Sequence, residues 1–207
     1  MKYITNTIRI LFLAIFIFLL ANGKVVLWLA LFGVSLIAAL IFGRIYCGYV
    51  CPMNTLMIPV EWLSKKLKLQ TMDAPKWLKK GYFTWITLVI SVAGMLLSKR
   101  LLHIDLQILP FWLVMSILIT LRYKPAVFHN LICPFGALQR TFGRFARLSE
   151  KVNKDACIGC KLCEKACPSN AIAVSSEDKK AIINTALCHQ CTNCRQVCPK
   201  DAIYYSK

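Results

Sequence analysis

The stretch IYCGYVCPMNTL, residues 45–56, contains two cysteines four positions apart and a proline directly after the second. The same frame recurs 82 positions later as VFHNLICPFGAL, residues 127–138, with a histidine in place of the first cysteine. Each copy follows a long apolar part of the chain, which suggests a paired site at a membrane edge. The corresponding pairs are Cys47 and His129, Cys51 and Cys133, and Pro52 and Pro134.

The composition is typical of a membrane protein. Of the 207 residues, 57% are hydrophobic and only 17% are charged, whereas soluble domains are about 45–50% apolar and about 25% charged. The net charge of +17 would otherwise suggest a nucleic-acid ligand. However, residues 1–149 carry 17 of the 26 basic residues and only 3 of the 9 acidic ones. The excess charge therefore lies on the apolar part, so we attribute it to membrane topology and expect no nucleic-acid partner.

Four apolar segments are candidates for transmembrane helices, because about 20 apolar residues are needed to cross the hydrocarbon of a bilayer. Asn22, Gly23 and Lys24 predict a tight turn between the first two segments. The fourth segment is the shortest, with 16 residues, and contains Pro110. We expect an α-helical membrane domain of four transmembrane helices over residues 1–149. The segments are 4–21, 25–43, 81–98 and 106–121.

The basic residues predict an orientation for these helices. If the N-terminus, residues 44–80 and the chain after residue 121 are cytoplasmic, 14 of the 17 basic residues of the membrane part lie inside. Only Lys24, Lys99 and Arg100 lie outside. Such an excess of Lys and Arg is typical of cytoplasmic loops. The sequence thus predicts a multi-pass protein of the cytoplasmic (inner) membrane with both termini and the clusters on the cytoplasmic side.

The recurring frame divides the membrane part into two duplicated hairpins, each followed by one copy of the motif. Two spans per unit return the chain to the same side, so both motifs are expected at the cytoplasmic face. Parallel repeats of this kind are related by an axis along the membrane normal, across which the two motifs would face each other. The basic amphipathic stretch after each copy predicts a short helix, either lying on the inner membrane surface or simply connecting elements.

A different cysteine pattern begins after residue 149. CIGCKLCEKACP, residues 157–168, is followed by CHQCTNCRQVCP, residues 188–199. Each has the spacing C-x2-C-x2-C-x3-C-P of the bacterial two-cluster ferredoxins, in which the fourth cysteine ligates the other cluster. Zinc sites more often use separated cysteine pairs. Together with short β-prone pieces, these motifs predict an α+β ferredoxin domain with two [4Fe-4S] clusters over residues 150–207.

The spacing assigns each of the eight tail cysteines to one cluster. The expected cytoplasmic side is reducing, so metal clusters are expected rather than disulfides. Little of the tail is left for a substrate pocket, and we expect it to pass electrons on. Cluster one is expected at Cys157, Cys160, Cys163 and Cys198, and cluster two at Cys188, Cys191, Cys194 and Cys167.

The paired frame offers a further set of metal ligands. Residues four apart share a face of a helix, so Cys47 would lie with Cys51, and His129 with Cys133. The facing copies would present three thiolates and one imidazole, and imidazole replaces thiolate on iron in some iron–sulfur centres. We therefore expect a candidate third iron–sulfur or metal centre here. Two alternatives stay open, a redox or metal-transfer thiol pair and cysteines that only pack at a helix end.

These motifs resemble those of the NapH-type membrane ferredoxins and the membrane parts of the related NosR, MauN and CcoG proteins. The resemblance rests on GRIYCGYVCPMN at residues 43–54, on CPFGA at residues 133–137, on the four apolar segments and on the two-cluster tail. It implies quinol oxidation and electron delivery to another redox protein or subunit, with membrane lipid and a quinone as further partners. The chain departs from the family pattern at His129, where cysteine is expected.

The leading functional hypothesis is an integral-membrane electron-transfer subunit of a quinol dehydrogenase complex. It would move electrons between the quinone pool and a redox partner through two or three clusters, with no side chain acting as a catalyst by itself. The alternative is a metal-handling protein, for example a copper reductase or assembly factor, with the tail as its electron source. A transporter is disfavoured because the apolar segments contain hardly any ionisable residue that would mark a pathway.

Overall fold

The first part of the chain is a bundle of apolar helices in the computed structural model, which describes residues 2–70, 74–75, 77–103 and 108–207. Three helices are long and apolar enough to cross a membrane: Tyr3–Ala21, Val25–Phe42 and Phe83–Leu101. Only 17–22% of the residues in each of these spans are buried inside the protein. Their exposed surface is therefore largely apolar, which suits contact with lipid. The expected helical first part is thus present with three candidate spans, and the fourth expected span is not confirmed.

The fourth apolar segment forms a shorter helix of 15 described residues, Ile108–Arg122. At 1.5 Å per residue it is about 22 Å long, less than the hydrocarbon thickness of a bilayer. Residues 106 and 107 of the predicted segment lie outside the described residues. In chain order the helices are α1 (Lys2–Ala21), α2 (Val25–Phe42), α3 (Pro52–Lys66), α4 (Phe83–Leu97), α5 (Ile108–Arg122), α6 (Pro125–Val127), α7 (Pro134–Gly143), α8 (Leu162–Ala166) and α9 (Asn193–Gln196).

The two copies of the cysteine frame have nearly the same backbone. Tyr46–Val50 and Phe128–Ile132 each form one π-helical turn, and the N–H of the following cysteine closes it with a 2.8 Å hydrogen bond to the carbonyl of the first residue. Cys51 and Cys133 then adopt an extended conformation, both with φ −64° and with ψ 117° and 118°. A proline begins the next helix in both copies, where its missing N–H costs nothing. The α-helical spacing expected between the paired ligands is therefore replaced by a wider turn.

The helices that follow the two copies pack against other helices of the bundle. α3 lies against α5 and α1, and α7 lies against α2 and α4. The Ser64 hydroxyl of α3 donates to the Leu121 carbonyl at 2.8 Å, and the Gln139 amide of α7 donates to the Ser35 hydroxyl at 2.7 Å. Both stretches are thus helical, as expected, and each connects the two halves of the bundle.

Aromatic side chains of α2 join the two copies of the frame. The Trp28 indole N–H donates to the Tyr46 hydroxyl at 2.8 Å. The Phe32 ring meets Tyr46 of the first copy and Phe135 of the second edge-on, with both centroid distances at 5.2 Å. Such edge-to-face pairs are favourable beyond the apolar area that they bury. These contacts include both copies of the frame in the core of the helical part, at the end where the motifs lie, which we call the motif end.

The tail has the α+β content that its sequence predicts. β1 (Ser149–Val152) pairs antiparallel with β4 (Ile203–Ser206), and β2 (Ile172–Val174) pairs antiparallel with β3 (Ala181–Ile183). Its core contains two cysteines of the ferredoxin motifs beside small and branched side chains. The members are Cys163, Ile172, Ala181, Cys194 and Ile203.

The tail rests on the motif end of the helical part. The Asn130 amide donates to the Ser169 carbonyl at 2.7 Å, and the Tyr205 hydroxyl donates to the Phe42 carbonyl at 3.2 Å. The Arg44 guanidinium reaches the Ala186 carbonyl at 3.3 Å. These contacts place the ferredoxin motifs directly beside the paired cysteine frame.

Candidate functional site

Three thiols from the two copies of the frame share one buried region. Cys47, Cys51 and Cys133 all belong to the core at the motif end. Burial raises the pKa of Cys51, and the charges of Cys47 and Cys133 raise it further. Burial also raises the pKa of Cys133 to about 12, although the Gly136 N–H, 3.4 Å from its sulfur, opposes the shift. Such thiols stay protonated at neutral pH unless a positively charged centre binds the thiolates.

His129 is buried beside these thiols. Its Nε2 lies 3.2 Å from the Asn54 carboxamide oxygen. In this arrangement Nε2–H donates and Nδ1 carries the lone pair. Burial, with a smaller effect of the Arg44 charge, lowers the pKa of His129 to about 3, so the ring is neutral at neutral pH. Within the described residues, no three His, Cys, Asp or Glu side chains stand close enough to hold a single metal ion.

Arg44 carries a fully buried charge into this region. Its Nη2 lies 3.7 Å from the Cys47 sulfur, and Nη1 lies 3.4 Å from the Asn130 amide oxygen and 3.3 Å from the Ala186 carbonyl. In the described part of the chain its guanidinium forms no ion pair with a carboxylate, and Nε has no hydrogen-bond partner. A buried cation without an anion costs several kcal/mol. The pocket beside Arg44 is therefore suited to negative charge, which thiolates of a metal–sulfur centre would supply.

The four cysteines expected for cluster one surround a cavity of about 370 Å³ in the tail. Backbone amides point at its sulfurs, since the Ala181 N–H donates to Cys157 at 3.5 Å and the Ala202 N–H donates to Cys198 at 3.4 Å. Four thiols with N–H donors form the set that a [4Fe-4S] cluster uses. The cysteines at this cavity are Cys157, Cys160, Cys163 and Cys198.

A second cavity, of about 270 Å³, brings together the four cysteines expected for cluster two. The Ala171 N–H donates to Cys167 at 3.2 Å, and the Gln190 N–H donates to Cys188 at 3.4 Å. Burial raises the pKa of Cys188 to about 12, so this thiol also needs a bound centre to ionise at neutral pH. The donor set again fits a [4Fe-4S] cluster. The cysteines here are Cys167, Cys188, Cys191 and Cys194.

The loop at His189 and Gln190, which we call the cluster-two loop, packs against the first copy of the frame. Gly43 has φ 73°, and a Cβ added to it would crowd the Gln190 side chain. A Cβ on Gly48 would collide with the His189 carbonyl. The His189 ring is 1% exposed and lies edge-on to the His129 ring, with centroids 4.7 Å apart. The paired frame and the cluster-two cavity are therefore in direct contact.

Three residues of this region were not assigned a role from the sequence. Arg44 lies three residues before Cys47, and Asn54 lies three residues after Cys51, so both are close to the thiols in the sequence. His189 lies inside a ferredoxin motif, between the expected ligands Cys188 and Cys191, and the motif gives it no role of its own. The contacts that give these residues a role join segments far apart in the chain, and no local pattern predicts them.

The comparisons with known protein families match both parts of the chain. The family described as a 4Fe-4S binding domain matches residues 25–70 and again residues 106–153. The family described as a 4Fe-4S dicluster domain matches residues 156–202. Each copy of the frame thus lies in one match of the first family, and the tail lies in the second. No solved structure matches the chain.

Several curated relatives are similar over about two thirds of the chain. An uncharacterized protein of Methanocaldococcus jannaschii is 31% identical over 140 residues, which are 65% of this chain and 55% of the relative. The methylamine utilization ferredoxin-type protein MauN of Methylobacillus flagellatus is 28% identical over 72% of this chain and 58% of its own. The ferredoxin-type protein NapH of Haemophilus influenzae is 29% identical over 68% and 54%. The matched part thus spans little more than half the length of these relatives.

The buried charge of Arg44 gives a testable electrostatic prediction. An opposite charge at roughly 6 Å contributes about 2–3 kcal/mol at an effective dielectric constant of about 20, which is roughly 100 mV for one electron. We expect Arg44→Met to lower the reduction potential of a centre held by the three thiols by about this amount, measured by an EPR-monitored redox titration.

Two variants control this measurement. Arg44→Lys keeps the charge and should keep most of the potential. Arg144→Ala removes an exposed cation after α7, next to Phe145, and should leave the potential unchanged. An Arg44→Met protein with the potential of the unsubstituted chain would contradict the role of Arg44 as counter-ion.

Proposed function

Because the chain belongs to the NapH-type family of 4Fe-4S ferredoxins, we propose that it is an integral-membrane protein that carries electrons between the quinone pool and a redox partner. Bound [4Fe-4S] clusters supply one-electron exchange over a wide range of potentials. The observation that carries the proposal is the series of thiol sites that runs from the paired frame through the cluster-two cavity to the cluster-one cavity. Relatives named as ferredoxin-type proteins support the electron-transfer role.

The contacts of the tail support an order for the two tail clusters. Cluster two would lie next to the helical part, because its loop at His189 touches Gly48. Cluster one would lie at the partner end, where Cys160 is exposed. Ile158 and Leu162 are exposed beside it. We propose that the redox partner docks on this apolar surface.

A third centre at Cys47, Cys51 and Cys133 would complete the series at the membrane edge. Its support is the convergence of three buried thiols from both copies and the uncompensated charge of Arg44. A centre at this place would lie between the apolar helices and cluster two. It would therefore be the first to exchange electrons with a molecule dissolved in the lipid.

The iron content tests the third centre. With three cubanes the anaerobically purified protein should contain about twelve irons per chain, and with two about eight. We expect Cys51→Ser and Cys133→Ser to lower the content by about four irons and to leave the EPR signals of the tail clusters. Met57→Leu, a volume-conserving change in the same core, is the control and should lose none. Eight irons in the unsubstituted protein would show that the paired frame holds no cubane.

The distribution of charge supports a membrane topology with the thiol sites inside. We propose that α5 is a fourth span beside the three longer helices, and that the motif end and the tail face the cytoplasm, where most Lys and Arg residues lie. A fluorescent protein fused to the C-terminus should then fluoresce. Alkaline phosphatase fused after Lys24, in the predicted outer turn, should be active. The opposite pattern of the two reporters would refute this orientation.

A groove between α4 and α5 supports a quinone site. Apolar side chains such as Phe111 line most of this open groove. The Ser91 hydroxyl accepts from the Trp112 indole N–H at 3.1 Å. Its own O–H has no acceptor among the described residues and could donate to a quinone carbonyl. Thr87 in the same groove donates to the Ile132 carbonyl at 2.8 Å, next to Cys133. A ring bound here would lie close to the paired frame.

Filling this groove should slow electron exchange with quinol. Gly94 lines the groove, and no atom lies within 4 Å of a Cβ added to it. We expect Gly94→Leu to reduce the rate of cluster reduction by a soluble quinol analogue about tenfold, because the leucine side chain would occupy the site.

Two measurements make this test specific. Reduction of the Gly94→Leu clusters by dithionite should be unchanged, which shows intact clusters. Gly33→Leu makes the same change at an exposed position of α2 with open space around it and should keep the quinol rate. Equal quinol rates for both variants would place the quinone elsewhere.

The metal-handling alternative is not favoured, because the characterised relatives reported above are named as ferredoxin-type proteins. Cluster oxidation that depends on copper and shows no response to quinol would reverse this ranking.

A further inference from the structure

His189 is a buried imidazole without polar partners. Its side chain is 1% exposed, and among the described residues neither Nδ1 nor Nε2 has a hydrogen-bond partner. A neutral imidazole carries one donor and one acceptor. Leaving both unsatisfied in the interior is unfavourable. A buried polar group without partners needs an explanation. Coordination of a metal centre by the imidazole would be one.

The fold fixes this imidazole at the paired frame. The backbone of the cluster-two loop meets Gly48 so closely that no side chain would fit there. The His189 ring lies edge-on to His129, which stands at the position of Cys47 in the second copy. The Arg44 charge, which lies 3.7 Å from the Cys47 sulfur, acts on both histidine rings. His189 therefore belongs to the same buried region as the three thiols.

The thiol set leaves a position to fill. Cys47, Cys51 and Cys133 supply three ligands, whereas a cubane has four irons and needs one more. His129 was the expected fourth ligand, and it donates Nε2–H to Asn54 while Nδ1 keeps a lone pair, so it competes with His189 for this position. Among the described residues, neither nitrogen of His189 has a hydrogen-bond partner. His129 thus has one nitrogen in use, whereas His189 has none.

We propose that His189, from the ferredoxin tail, is an imidazole ligand of the membrane-edge centre, an inference that rests on the third centre proposed above. The tail then closes this centre from outside the helical part. His189 and its neighbour Cys188 both line the cavity of cluster two. Consecutive residues would thus bind the two centres. His129 packs against the ligand ring and holds its orientation.

The chain contains only three histidines, so the ligand can be identified by elimination. The double variant His103→Ala/His129→Ala retains His189 alone, and His103→Ala/His189→Ala retains His129 alone. Each is grown with 15N-labelled histidine, and the reduced membrane-edge centre is measured by pulsed EPR. We expect a directly coupled histidine nitrogen in the first variant and its loss in the second. His103→Ala, at an exposed position, is the control and should behave as the unsubstituted protein.

Two further readouts separate a ligand from a merely structural residue. In the His189→Gly protein, added 15N-imidazole should restore the nitrogen coupling, because the free ring takes the vacated position. The EPR signals of cluster two should persist in both His189 variants, which shows that the loop still folds. If these signals are lost, the variant that retains His189 alone still decides the question.

The outcomes distinguish this inference from the proposed function. If the coupling follows His129, or no histidine nitrogen couples to a centre that is present, His189 is not a ligand while the third centre stands. An unsubstituted protein with about eight irons and no third signal would remove the third centre, and the inference with it. Coupling that depends on His189 supports both.

Discussion

Arg44 brings a positive charge into a fully buried place, and its contacts join both copies of the frame to the tail. Its guanidinium touches Cys47 of the first copy, Asn130 of the second and Ala186 of the tail. These partners carry no formal charge, so they solvate the cation without neutralising it. Burial of such a cation is tolerated when an anion is close. A centre built on thiolates would satisfy this requirement, and its charge would then hold the two copies and the tail together.

The stability of the tail also depends on buried groups that a metal centre would satisfy, here its cysteine thiols. It is a small domain whose core consists largely of cysteines and a few aliphatic side chains. A domain of this size rarely gains enough from apolar burial alone, and metal centres commonly supply the rest. Burial raises the pKa of Cys188 and Cys194, so binding of clusters in the cavities would release protons. We infer that folding of the tail and assembly of its centres are coupled.

The sequence predicted those features that depend on local spacing. The C-x2-C-x2-C-x3-C-P motifs gave the same grouping of cysteines as the two cavities, because the fourth cysteine of each motif must reach the other site. The apolar segments predicted the helices, although α5 is shorter in the described residues than a span requires. The π-helical turns were not predicted, since a pattern of four fits α- and π-helical turns almost equally.

The features that the sequence left open depend on contacts between distant segments. Asn54 and His129 are 75 positions apart, and their hydrogen bond gives the ring its orientation. The position of His189 depends on Gly48, which the sequence shows only as a small residue between two cysteines. The contacts of His189 with the paired frame therefore depend on packing of the tail against the helices, which no motif records.

The two copies of the frame differ at the positions where they meet the tail. With the offset of 82, Gly48 corresponds to Asn130 and Arg44 to Ala126. Gly48 accepts the backbone at His189, whereas the Asn130 amide donates to the Ser169 carbonyl. Both contacts fall beside cysteines of the cluster-two cavity.

The two copies of the frame pack against different loops of the tail, so different side chains fit at equivalent positions. His129, at the position equivalent to Cys47, is a further such difference. In the second copy the equivalent of Cys47 lies against a ring of the tail. If His189 is a ligand, as we propose, a fourth thiolate is unnecessary. On this view the histidine is a consequence of how the tail docks, and the chemistry at the membrane edge is shared between the two parts of the chain.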